Sequence, residues 1–152
     1  MRLTSSAFVD NDTLPVDHTC DGEDTSPALE WSGAPEDTMS YAIIMDDPDA
    51  YPGSFTHWII FNIPEHITRI PVAIPDRPQL PDGSQQGKND FGNIGYGGPC
   101  PPRGKPHHYQ FTLFALDRNL DLRDGASKAQ LLNAMKSHIL AQVKITGLYG
   151  RK

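Results

Sequence analysis

With 152 residues, 38 % of them apolar and 21 % charged, the chain has the length and composition of one folded domain with a hydrophobic core, not of two domains or a disordered segment. Its formal charge of −6, with Lys and Arg dispersed, excludes a phosphate-backbone reader, which needs a concentrated basic face. No apolar run approaches the roughly 18–20 residues that span a bilayer, and Met1-Arg2-Leu3 leads into Thr4-Ser5-Ser6 without a signal-peptide core, so the sequence reads as cytoplasmic, with no integral membrane segment and no nucleic-acid partner.

From the N-terminus, Asp10-Asn11-Asp12, Cys20-Asp21-Gly22-Glu23-Asp24 and Ser26-Pro27 are turn formers. They predict an ordered surface loop over 10–35, leading to a short strand near Leu29-Glu30-Trp31. Cys20 and Cys100 are too few for a disulfide scaffold. The plain expectation is two buried thiols; the alternative is a pair that sits close and oxidises. Residues 41–45 predict a buried strand stopped by Asp46-Asp47-Pro48, and 57–63 a second one stopped at Pro64.

Residues 64–106 are dense in proline and glycine and predict a long loop. A loop of that length in a compact domain is functional or packed at an interface. Residues 107–117 predict the longest strand, with His107, Tyr109, Phe111, Leu113 and Ala115 on one face by the two-residue period. Ser127 with Gln130 is a capping box, and Leu131, Leu132, Met135, Ile139 and Gln142 continue at helical spacing. Residues 143–149 predict a final strand. Strands dominate without βαβ alternation, so the expected fold is mainly β and largely antiparallel, with one or two peripheral helices.

Chemistry-bearing residues gather at strand ends. Asp47-Pro48-Asp49 follows a buried strand, and proline stiffens the turn that carries both carboxylates. His57 opens the next strand, sharing a side with Ile59 and Phe61 by simple alternation, and His107 opens the later one, beside Tyr109 and Phe111. If the two strand beginnings are neighbours, both imidazoles converge at one end of the core. The run Gly95-Tyr96-Gly97-Gly98-Pro99-Cys100-Pro101-Pro102-Arg103-Gly104 suits a rigid wall facing a small molecule, because glycine permits close approach and proline reduces the entropy lost on ordering. It is not a phosphate loop: Gly87-Lys88 is followed by Asn89.

Taken jointly, Asp46-Asp47-Pro48-Asp49-Ala50, His57-Trp58, Asn62-Ile63-Pro64, Asn89-Asp90-Phe91-Gly92, the Gly95–Pro102 run, His107-His108-Tyr109 and the ending Thr146–Arg151 resemble the phosphatidylethanolamine-binding protein family, in its compact bacterial and archaeal, Raf-kinase-inhibitor-like branch. Cys20-Asp21-Gly22, Ser26-Pro27 and Trp31 extend the resemblance over nearly the whole chain, as a single domain over 1–152. It implies two packed sheets and a pocket for phosphate, acetate or a phospholipid headgroup. By position, Asp47, His57, Pro102, His107 and Tyr109 would line the pocket, Gly98, Cys100 and Pro101 would wall it, Phe55 would form its lip, and Asp49 would brace it from behind. Two departures stand out: Tyr51-Pro52 where the family pattern has proline directly after the Asp-Pro-Asp-Ala run, and His108 where it has arginine.

These residues predict a binding protein for a small anion or phosphate-bearing ligand, with no catalytic residue, metal or cofactor assigned. The imidazoles are expected to hold their protons more strongly beside Asp47, so that anion affinity falls as the pH rises. The alternatives are a hydrolase with Cys100 as nucleophile and His57 or His107 as base, and a metal held by Asp47, His57 and His107. As an interaction module, the resemblance includes members that inhibit kinases. Ile67, Ile70, Val72, Ile74 and Leu80 of the proline-rich region could then cover a protein partner or a second copy as a homodimer.

Overall fold

The computed structural model describes residues 1–152. In chain order its strands are β1 (Arg2–Thr4), β2 (Asp12–Thr13), β3 (Leu29–Ser32), β4 (Ser40–Asp47), β5 (Phe55–Pro64), β6 (Arg69–Ile70), β7 (Gln85–Gln86), β8 (His107–Leu116) and β9 (Ile139–Tyr149), with one helix, α1 (Lys128–Met135), before β9. The small sheet has the order β1-β3-β6 and the large one β2-β9-β8-β4-β5-β7. All pairings are antiparallel except β2 with β9. The mainly β, largely antiparallel two-sheet fold expected above is the fold the chain adopts.

The two faces of the large sheet are both buried, which is why β4 and β5 read as continuous apolar runs. Tyr41, Ile43, Met45, Trp58, Tyr109, Phe111 and Leu113 pack on Leu3, Leu29, Trp31 and Ile70 of the small sheet. On the opposite face, Ala42, Ile44, Ile59, Phe61, Phe114 and Leu116 pack on Leu131 and Met135 of α1. Burying a side chain of this size contributes roughly 1.5–3 kcal/mol, so these two interfaces supply the bulk of the folding drive.

Helix α1 keeps the expected capping box: Gln130 N–H donates to Ser127 Oγ at 3.2 Å, and Ser127 N–H donates to Gln130 Oε1 at 2.9 Å. It ends sooner than its apolar spacing suggested. Ser137 takes φ 69°, which stops the helix, so Ile139 and Gln142 belong to β9 instead of α1, and Leu132 faces outward.

One irregularity in the β4–β5 pairing matters more. Met45 pairs with Trp58 but Asp46 pairs with Thr56, so His57 is the extra residue of a β-bulge. A bulge reverses the alternation of side chains. His57 and Trp58 therefore both face the small-sheet side, whereas Ile59 and Phe61 face α1. The expectation that His57 shares a side with Ile59 and Phe61 is corrected by this one inserted residue.

The long 64–106 segment is pinned to the body. Trp58 Nε1–H donates to the buried Gln86 Oε1 at 2.8 Å, and Gln86 Nε2 donates to the carbonyls of Pro75 and Arg77 at 2.7 and 2.8 Å. Ile67, Ile70, Ile74 and Leu80 pack on the core between the sheets, and Val72 alone of the five apolar residues singled out above is exposed. Ile70 is buried, and Ile67, Ile74 and Leu80 are partly covered by the chain's own core.

Candidate functional site

In the large sheet β4 lies between β5 and β8 and runs antiparallel to both. The end of β4 therefore meets the beginnings of β5 and β8, and this brings Asp47, Phe55, His57, His107 and Tyr109 together. The bulge at His57 turns its ring to the side of Tyr109, with ring centroids 5.3 Å apart in an edge-on arrangement. The convergence of two imidazoles at one end of the core, expected from their positions at strand beginnings, is present.

Asp47 is 3 % exposed. Its Oδ2 accepts a hydrogen bond from His107 Nδ1–H at 2.6 Å, and its Oδ1 accepts from the Asp49 amide at 2.9 Å. His57 is 4 % exposed, and its Nδ1–H donates to the Gly97 carbonyl at 2.6 Å. A carbonyl can only accept, so Nδ1 of His57 carries the proton and Nε2 carries the lone pair of the neutral ring. Neither imidazole Nε2 has a protein partner, and neither is sealed from solvent.

Burial pushes the His57 pKa down, and this desolvation outweighs the Gly97 carbonyl and the Asp47 charge that pull it up. The expectation that both imidazoles hold their protons more strongly is thus reversed at His57: it sits too deep for the carboxylate to compensate. Tyr109, 1 % exposed, has its pKa pushed up, first by burial and then by Asp47, so it stays a neutral phenol.

These groups form the floor of a cavity of about 370 Å³, lined by Asp47, Asp49, Ala50, Tyr51, Phe55, His57, Phe91, Cys100, Pro101, Pro102, His107 and Tyr109. No lysine or arginine is among them. Eight of the nine residues expected at the pocket line it. The ninth, Gly98, supports the wall from behind: its N–H donates to Asp24 Oδ1 at 2.9 Å, and a Cβ there would lie 2.7 Å from the His18 carbonyl oxygen. Asp49 lies at the rim as well as bracing. Its Oδ2 accepts from both the His108 amide, at 2.8 Å, and the His108 ring Nδ1–H, at 2.7 Å, and these bonds hold its carboxyl below the usual range. The histidine at the position of the expected arginine therefore retains a link to a neighbouring carboxylate.

Sequence reasoning did not assign Phe91, Ala50 or Tyr51. Phe91 packs edge-on against Phe55 and His57, with centroids 4.7 and 5.4 Å away. It is held by Asn89, whose Oδ1 accepts from the Phe91 amide at 2.9 Å and whose Nδ2 donates to the Gly95 carbonyl at 2.9 Å. The signal was the Asn89–Gly92 turn, which marks a held loop but not where its ring points. Tyr51 stands at the mouth, 97 % exposed, next to a cis Tyr51–Pro52 peptide.

Cys20 and Cys100 are joined in a disulfide, so the expectation of two buried thiols is corrected. The long connections over 16–25 and 95–104 fold against each other, which no local pattern could reveal. With its sulfur in the disulfide, Cys100 has no thiolate to serve as a nucleophile. No three His, Cys, Asp or Glu side chains converge closely enough to hold a metal ion. No helix is long and apolar enough to cross a membrane.

The family model for phosphatidylethanolamine-binding protein matches residues 4–150. A UPF0098 protein of Methanothermobacter thermautotrophicus is 52 % identical over 99 % of both chains. The UPF0098 protein YbcL of Escherichia coli is 42 % identical over 97 % of this chain and 86 % of its own. The crystal structure of E. coli YbcL, described as a new member of the mammalian PEBP family, superposes with a TM-score of 0.93 at 39 % identity, covering 99 % of this chain and 98 % of the other. A phosphatidylethanolamine-binding protein homologue from Chlamydia trachomatis gives 0.90 at 35 % identity, covering 99 % and 97 %. The chain belongs to the phosphatidylethanolamine-binding protein family.

Proposed function

We propose that residues 1–152 act as one ligand-binding domain whose cavity takes a small phosphate-bearing anion or headgroup together with a proton. The observation that carries this reading is the lining: two imidazoles with free Nε2 atoms, two carboxylates, apolar walls and no fixed cation. A dianion would meet Asp47 with nothing permanent to neutralise it. A protonated phosphate can donate its own hydrogen to the neutral His57 Nε2, or the ring can take up a proton as the anion enters. A zwitterionic headgroup would direct its ammonium to Asp47 or Asp49. The proline and aromatic walls limit the water around the ligand, which strengthens each of these contacts.

Titration calorimetry with inorganic phosphate in two buffers of different ionisation enthalpy counts the protons taken up on binding. Uptake of a fraction of a proton at neutral pH is expected; binding with no proton exchanged contradicts the reading.

A hydrolase on the same pocket is the second reading, and the pairing of half-buried His107 with buried Asp47 at 2.6 Å is the observation that favours it, as a general base. Turnover of an aryl phosphate that disappears in His107→Gln would support it, and absence of turnover in the parent protein would remove it. A regulatory role toward a kinase or other protein partner, and self-association to a homodimer, are further proposals at the level of the family. Sedimentation at two concentrations decides the second. Location in a reducing cytoplasm has to accommodate the disulfide, which persists in oxidising compartments and in the cytoplasm of hyperthermophiles.

A further inference from the structure

The pocket has one wall of unusual construction. Pro101 and Pro102 have no N–H to donate to a neighbour. Upstream, the wall is seated by the Cys20 amide donating to the Pro99 carbonyl at 3.0 Å, by Gly98 on Asp24, and by the Tyr96 hydroxyl donating to the His18 carbonyl at 2.6 Å. Downstream, the Gly104 amide donates to the Arg151 carbonyl at 3.1 Å. Between these anchors, Cys100 carries the only covalent tie to the 16–25 loop, and Cys100 itself lines the cavity.

Both sulfur-bearing residues are open to solvent, Cys100 exposed and Cys20 half-buried. Cys100 Sγ lies 4.0 Å from Arg151 Nη1, and Arg151 is fixed by an ion pair to Asp21 at 3.2 Å. A guanidinium beside a sulfur stabilises it as a thiolate, so Cys100 is the better leaving group of the two. On the other side, Cys20 is followed directly by Asp21.

We propose that the Cys20–Cys100 disulfide is a redox latch on the ligand pocket, opened by dithiol reductants. One thiolate of the dithiol attacks Cys20 Sγ, forming a mixed disulfide and expelling Cys100 as the thiolate beside Arg151. The second thiol of the reductant, deprotonated, attacks its own sulfur in the mixed disulfide. The reductant closes to a cyclic disulfide, and Cys20 leaves as a thiolate. The protons lost by the dithiol pass through solvent to the two cysteines, and two electrons have moved from the reductant to the pair. The Tyr96–His18 hydrogen bond still seats the wall upstream, so the change is confined to the two segments that the disulfide joins, residues 20–25 and 100–105. The wall loses its preorganisation and the cavity binds its ligand more weakly.

This inference rests on the anion-binding reading above, so the test has an arm independent of binding. Amide hydrogen exchange of oxidised and dithiol-treated protein is compared at residues 20–25, 100 and 103–105 and in the core strand β8. Phosphate affinity is measured on the same two samples and on Cys20→Ser/Cys100→Ser. Exchange in the two loop segments that is faster than the global opening reported by β8, with phosphate affinity roughly three- to tenfold weaker in the reduced and variant proteins, is the expected result. Unchanged loop exchange, unchanged affinity of a protein that does bind, or loop amides that exchange no faster than those of β8 each overturns the latch. If the oxidised protein binds no phosphate, the anion-binding reading fails, and with it the ligand control assigned to the latch, whatever the exchange arm shows about the wall.

Discussion

At the scale of single residues, His57 has the clearest consequences. Its folded pKa lies below the unfolded value of roughly 6.5, so on acidification the unfolded chain takes up a proton before the folded one. The stability due to the neutral buried ring is fully present above the unfolded pKa and is lost as the pH falls toward the folded one. Urea denaturation from pH 7.5 to pH 5 should show stability falling, with a slope from this group of at most about 1.4 kcal/mol per pH unit. His57→Asn retains an N–H for the Gly97 carbonyl but cannot titrate, and should flatten that slope; an unchanged slope would place the titrating group elsewhere. His108 is a gentler case. It and Asp49 are both well exposed, so His108→Ala should cost no more than about 1 kcal/mol in thermal or urea denaturation.

At the scale of elements, the site is made by the order β8-β4-β5 and by one bulge. The apolar runs that become β4 and β5 were legible because burial on both faces leaves continuous hydrophobic stretches, and β8 was legible by its alternation. So were the Asp47 turn and the imidazoles at the two strand beginnings. The bulge was not, because one extra residue alters facing without altering composition. Nor was the end of α1, since Ile139 and Gln142 fit a helical stripe until Ser137 turns into the left-handed region. The glycine wall behind the pocket is an element with a strict space requirement. A side chain at Gly98 would meet the backbone of the 16–25 loop, and that backbone cannot swing aside as a flexible side-chain tip does. Gly98→Ala should therefore destabilise the protein by about 1–3 kcal/mol in urea denaturation, whereas Gly53→Ala, with open space around it, should leave stability nearly unchanged.

At the scale of the whole molecule, the large sheet is covered on one side by the small sheet and on the other by α1, and the long loops are cross-braced by Gln86 and by the disulfide. The disulfide spans 80 residues, and a loop of that size constrains the unfolded chain by about 4.5 kcal/mol in the chain-entropy picture. Differential scanning calorimetry should accordingly show a clearly lower Tm after reduction; an unchanged Tm would mean that the link contributes nothing to global stability. Pairing between Cys20 and Cys100 was open at the level of sequence because it depends on how two loops meet across the fold.

Ligand binding in this cavity depends on the chemistry at its floor, where the imidazoles of His57 and His107 stand without lysine or arginine. The direct measurement is calorimetric titration of the oxidised protein with inorganic phosphate at half-unit steps from pH 5.5 to pH 8.5. Affinity is predicted to fall as the pH rises, by at most about tenfold per pH unit for one linked proton, and the fall should be strongly reduced in His57→Asn. An affinity that is flat across this range, or that rises with pH, would contradict proton-linked anion binding at Asp47, His57 and His107.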